Sequence, residues 1–147
     1  MVIVGAGIGG LAAALACARA GVPGSDTARL IEQSPVLAEV GAGVQLGPNV
    51  VRILQGWGLA DALQAVAAYP EALQVRNAIT AQLLGTLPLG AQMVQRYGAA
   101  YCTVARADLH GLLVQALQQH SGVELRLGQT ITGFTQDAQG VQLQIRQ

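Results

Sequence analysis

Val2-Ile3-Val4-Gly5-Ala6-Gly7-Ile8-Gly9-Gly10-Leu11 is the stretch on which the fold turns. The β-branched triplet stops at Gly5, as a short buried strand does. From Gly9 to Ala20 the chain is rich in Ala and Leu with no proline, and Gly21 follows as a C-terminal stop, which predicts a helix. Residues 22–27 have loop composition, and Ala28-Arg29-Leu30-Ile31-Glu32 reads as a second strand. Strand, glycine turn, helix and strand in that order predict a Rossmann-like βαβ unit with parallel strands.

The turn carries G-x-G-x-x-G as Gly5-Ala6-Gly7-Ile8-Gly9-Gly10, and an acidic residue, Glu32, ends the next strand about 20 residues on. Gly5 lets the chain leave the strand sharply, Gly7 offers no Cβ to obstruct a pyrophosphate, and Gly10 allows helix and strand to pack closely. The helix N-terminus supplies unpaired N–H groups and partial positive charge. Glu32 would accept hydrogen bonds from ribose hydroxyls, and its charge would repel a 2′-phosphate, which disfavours NADP. The motif leaves NAD and FAD both open.

Further along, Glu39 to Asn49 is too glycine-rich for a helix. Short helices are expected at about 49–56 and 59–67, around Gly56-Trp57-Gly58. Residues 72–90 read as irregular strand, with a turn at Pro88-Leu89-Gly90, and Tyr101 to Val104 is extended. Asp108 to Gln119 is a predicted helix with Leu109, Leu112, Leu113, Ala116 and Leu117 on one face. The tail is strand throughout: 123–127, 131–135 and 141–145, the last two joined by a turn at Asp137 to Gly140. The fold class is therefore α/β, a βαβ nucleotide-binding domain with an antiparallel strand meander at its C-terminal end.

Composition narrows the function. Fifty-two per cent of residues are hydrophobic and 11% charged, which excludes a disordered tail. The basic residues are all Arg and are balanced by 8 acidic ones, so no concentrated positive surface exists for nucleic acid. Nothing basic precedes the apolar N-terminus and glycines interrupt it, so neither a signal peptide nor a membrane span is expected. Cys17 and Cys102 form no metal-ligand spacing or disulfide framework, and a reducing cytoplasm is the expected compartment. A chain of 147 residues fits a single domain.

Four stretches together resemble a known family: Val4 to Leu11, Leu30-Ile31-Glu32-Gln33, Gly41 to Asn49, and Val104-Ala105-Arg106-Ala107-Asp108-Leu109-His110. They look like the N-terminal part of single-component, FAD-dependent aromatic hydroxylases of the salicylate, 3-hydroxybenzoate and 6-hydroxynicotinate types. Leu87-Pro88-Leu89-Gly90 and Arg96 to Tyr101 are similar to the 6-hydroxynicotinate type in particular. The resemblance implies a small aromatic substrate, FAD as cofactor, and NADH or NADPH as the electron donor of the full-length enzyme. It implies that Gly5, Gly7, Gly9 and Gly10 line the FAD pyrophosphate and that Glu32 and Gln33 meet the adenosine ribose. It further implies Arg106 at the FAD phosphate or ribitol, Ile131 against the adenine through its backbone, and Gln45 near the flavin. A guanidinium at Arg106 is chemically suited to phosphate oxygens, which it binds bidentately.

The sequence departs from the family in two respects. The segment from Gly21 to Glu32 is a few residues longer than the family's turn into its second strand. The family's later Asp-Gly and Gly-Asp motifs are absent, so the chain reads as roughly the first third of such an enzyme, inactive by itself. Two other readings accompany it: a non-catalytic gene remnant that binds flavin weakly or not at all, and an NAD-binding module of an unrelated dehydrogenase. His110 and His120 read as structural, and Tyr97 and Tyr101 as packing residues. No residue stands out as a catalytic acid or base.

Overall fold

The structure, a computed structural model, describes residues 1–38, 41–120 and 122–146, with Asp26 described by its backbone alone. Positions 39 and 40 of the glycine-rich stretch lie outside the described residues. The chain forms two compact units, Met1–Glu39 with His110–Gln147, and Val40–Leu109.

The first unit holds the predicted βαβ. Strand β1 (Val2–Val4) leads through the glycine turn into helix α1 (Ile8–Arg19), and a short 3₁₀ turn at Ser25–Thr27 precedes strand β2 (Ala28–Ile31). β1 and β2 are parallel, with Ile3 opposite Leu30. α1 packs on both strands and buries Leu11, Ala14 and Leu15, while β2 buries Ala28, Leu30 and Ile31. Gly21 adopts φ +61°, the left-handed conformation that ends a helix, and Val22 N–H reaches back to the Cys17 carbonyl at 3.1 Å.

The C-terminal strands divide between two sheets. β8 (Val123–Arg126) joins β2 in parallel, giving the order β1-β2-β8, in which β2 is central. β9 (Thr130–Asp137) and β10 (Gly140–Arg146) form an antiparallel hairpin. Asp137 Oδ1 accepts the amide hydrogens of Gln139 and Gly140, which fixes the turn between them.

The second unit contains β3 (Gly43–Leu46), α2 (Pro48–Gly56), α3 (Ala60–Val66), β4 (Ala67–Ala68), β5 (Ala72–Arg76), β6 (Leu83–Pro88), α4 (Gly90–Tyr97) and β7 (Cys102–Ala105). β7 pairs antiparallel with both β3 and β4, and β5 pairs antiparallel with β6. Two of these elements were not anticipated in the sequence. The glycine-rich stretch contains a strand, β3, held by its pairing with β7. The expected turn at Pro88-Leu89-Gly90 opens a helix, α4, because the Glu71 carbonyl accepts both the Leu89 and Gly90 amides at 2.8 and 3.1 Å.

Helix α5 (Arg106–Gln118) carries the boundary between the units, which falls between Leu109 and His110. Its five predicted apolar positions, Leu109, Leu112, Leu113, Ala116 and Leu117, are all buried. Among the described residues no helix is long and apolar enough to cross a membrane, and no group of metal-ligating side chains assembles.

Candidate functional site

The site begins where β1 gives way to α1. Gly5 has φ +92°, a conformation that L side chains rarely adopt, and its N–H donates to the Ile31 carbonyl at 2.7 Å. The chain is thereby pinned to β2 at the moment it turns. A Cβ built on Gly10 would run into the carbonyl oxygen of Gly5, so the first turn of α1 lies as close to the strand end as a missing side chain permits. Around Gly5 and Gly9 the Cβ directions open onto empty space. Gly7 caps α1 in extended conformation with no side-chain hydrogen bond, and the first turn contains no acidic residue. The amides at this end are consequently available to an external anion.

Glu32 follows β2 directly. Its backbone is fixed on two sides: its N–H donates to Arg126 at 2.8 Å, and its carbonyl accepts the Gln129 N–H at 3.0 Å. The carboxylate is equally constrained. Oε2 accepts the Ala6 N–H and Oε1 the Ser34 N–H, both at 2.8 Å. These amides, Ser34 first and then Ala6, hold the carboxyl below its ordinary value, and partial burial opposes them only in part. The Gln33 amide adds a weaker contact, and a carboxylate with about four acceptor sites still has room for a further donor.

Two cavities meet at this residue. One, of about 170 Å³, is lined by Ala6, Gly7, Glu32, Ser34, Val36, Leu37, Ala38 and His110. The other, of about 210 Å³, is lined by Val4, Gly5, Ile31, Glu32, Gln33, Gln129, Thr130 and Ile131. Both far exceed the ~10–15 Å³ that a single water needs. Glu32 therefore stands on a wall common to both.

Of the residues singled out in the sequence, Gly5, Gly7, Glu32, Gln33 and Ile131 line these two cavities, and Gly9 and Gly10 form the first turn of α1 beside them. Gln45 and Arg106 belong to the second unit. Gln45 is exposed on β3 opposite Thr103. Arg106 opens α5, its N–H donates to Ala42 at 3.3 Å, and its side chain lies against Gly41, where a Cβ would come within 3.0 Å of the Arg106 Cδ.

Three of the cavity residues that were not singled out as binding groups bear on the site. His110 is buried, and its Nε2 lies 2.7 Å from the Ala6 carbonyl. A carbonyl only accepts, so the ring donates from Nε2 and steadies the glycine turn from across 104 positions of sequence. Ser34 contributes its amide to Glu32. Gln129 lines the larger cavity and holds, in its Oε1, a buried side-chain oxygen without a hydrogen-bond partner among the described residues. For His110 a helix-start position was the available signal; Gln129 sits in a connection between strands and gave none.

Comparison with known proteins adds the family. A family profile described as "FAD binding domain" matches residues 1–147. Among curated proteins, 6-hydroxynicotinate 3-monooxygenase of Pseudomonas fluorescens is 43% identical over 115 residues, covering 78% of this chain and 29% of the relative. A 3-hydroxybenzoate 6-hydroxylase of Polaromonas naphthalenivorans is 36% identical over 124 residues, 84% of this chain and 30% of its own. The chain thus spans about 30% of the length of these relatives. Among solved structures, the flavin-dependent monooxygenase PieE in complex with FAD and substrate superposes with TM-score 0.79 at 26% identity, over 98% of this chain and 26% of that one. Klebsiella pneumoniae HpxO complexed with FAD and uric acid gives TM-score 0.79 at 25% identity, over 97% and 34%.

Proposed function

Because the chain belongs to the FAD binding domain family, we propose that it is the N-terminal FAD-binding portion of a flavoprotein monooxygenase that hydroxylates a small aromatic acid. The observation that carries this reading is the Glu32 carboxylate, fixed by the Ala6 and Ser34 amides between two cavities at the mouth of the glycine turn. Bound FAD would supply the redox chemistry, taking electrons from NADH or NADPH and activating oxygen.

The residues of this chain bind and orient. Gly5 and Gly7 shape the turn over which the pyrophosphate lies, and Gly9 with Gly10 brings the α1 amides and their partial positive charge to it. Glu32 accepts from the ribose hydroxyls through its free lone pairs, beside Gln33. Ile131 lies along the adenine, Arg106 pairs with a phosphate or the ribitol, and Gln45 approaches the flavin. The names of the relatives support a hydroxylated aromatic or heteroaromatic acid as substrate. The two free cysteines, Cys17 and Cys102, support a reducing cytoplasm.

FAD retention by the purified protein and by Gly7→Val tests the reading. A valine side chain occupies the pyrophosphate position, so the variant should emerge colourless while the parent retains flavin. Equal FAD affinity in the two would remove the pyrophosphate from Gly7. Failure of the folded parent to bind FAD would favour the reading as a non-catalytic remnant.

A further inference from the structure

Gln129 stands apart from the rest of the site because its side-chain oxygen is buried and has no partner among the described residues. Leaving a buried acceptor unpaired is costly, and such groups in native folds ordinarily find a donor. Its backbone is not at issue, since the Gln129 N–H is held by the Glu32 carbonyl at 3.0 Å. The terminal torsion of a glutamine is soft. An orphan oxygen loses no hydrogen bond when that torsion turns it toward the cavity its own residue lines.

The donor it meets follows from the order of groups in an adenosine phosphate. Glu32 is shared by both cavities, and only one of them, the smaller, includes Gly7. A ribose held at Glu32 with its 5′-phosphate toward Gly7 must send its base the other way, into the cavity of about 210 Å³ walled by Gln33, Gln129, Thr130 and Ile131. An adenine there carries an exocyclic 6-amino group, a donor and nothing else.

We propose that Gln129 is a specificity-determining residue for the base: its side-chain oxygen accepts the 6-amino group of adenine, so that binding supplies the missing donor. The proposal rests on the reading of the Glu32 site as the adenosine end of the FAD site and deepens it.

The test compares two ligands, FAD and its analogue with unsubstituted purine in place of adenine, by equilibrium binding to the full chain. The parent should bind FAD about tenfold more tightly than the analogue, the discrimination that one satisfied hydrogen bond of this kind gives. Gln129→Leu should bind the two ligands equally, with FAD affinity reduced to near that of the analogue. Its melting temperature without ligand should equal or exceed the parent's, because the orphan acceptor is gone; Gln129→Met serves if the leucine variant does not fold. Equal affinity of the parent for both ligands overturns the proposal. So does a folded Gln129 variant that still prefers FAD. A parent that binds neither ligand refutes the FAD site itself, an outcome separate from both.

Discussion

Glu32 couples the glycine turn to β2 through its charge. The Ser34 and Ala6 amides hold its carboxyl pKa below the ordinary glutamate value that it has in the unfolded chain. A depressed folded pKa stabilises the protein at pH above the unfolded value, and that contribution disappears as pH falls through the folded one. We therefore expect a loss of stability on acidification below about pH 4.3, the ordinary glutamate range, and a shallower loss in Glu32→Gln, measured by urea unfolding over that interval. An identical pH profile in the variant would mean the two amide contacts do not persist in solution. Gly10 is a steric test of the same turn. The alanine methyl in Gly10→Ala meets the Gly5 carbonyl, a backbone atom that cannot turn aside. Overpacking of this kind costs about 1–3 kcal/mol, and a denaturant midpoint unchanged from the parent would contradict the close approach.

The elements differ in how much of their apolar surface they hide. β5 and β6 expose Leu73, Val75, Leu83, Leu84 and Leu87, and the tip between them carries Ile79 at 95% exposure. A two-stranded ribbon is marginal by itself, and uncovered apolar strands are templates for association. Val75→Lys combined with Leu84→Lys should raise the concentration at which the purified chain self-associates, read by sedimentation or light scattering. An unchanged onset would place association elsewhere. The same contrast explains what was legible in the sequence. β1, α1 and β2 declare themselves through the β-branched triplet, the glycine turn and the Ala- and Leu-rich run, although Val2 and Val4 are exposed and β1 is not the buried strand expected; α5 does so through its leucine face. α4 is eight residues long and buries none of them, and a turn was expected where it begins. β3 is a strand because β7 lies beside it, a partner more than fifty residues away that its own glycines do not announce. Within the site, the glycines and Glu32 belong to a local pattern. His110 and Gln129 reach it only through the packing of distant segments.

At the scale of the molecule, the chain carries nucleotide-binding geometry and spans about 30% of the relatives' length. We expect the purified 147-residue protein to show no NADH or NADPH oxidation stimulated by a hydroxylated aromatic acid, even when loaded with FAD. Stimulated oxidation in a stopped-flow or oxygen-electrode assay would show that these residues suffice for the reaction.

The interrupted composition of the first unit has a consequence for biosynthesis. β2 is complete at Ile31, yet its second neighbour, β8, begins only at Val123, after the whole contiguous unit Val40–Leu109 has been made. At roughly 5–20 residues per second, the ribosome leaves one edge of β2 waiting about 5–18 s for its partner. During that interval the contiguous unit can already have folded, and closing so long a loop adds to the search. The nascent chain thus carries an open strand edge beside the glycine turn, and it is at this stage that chaperones have the most to protect.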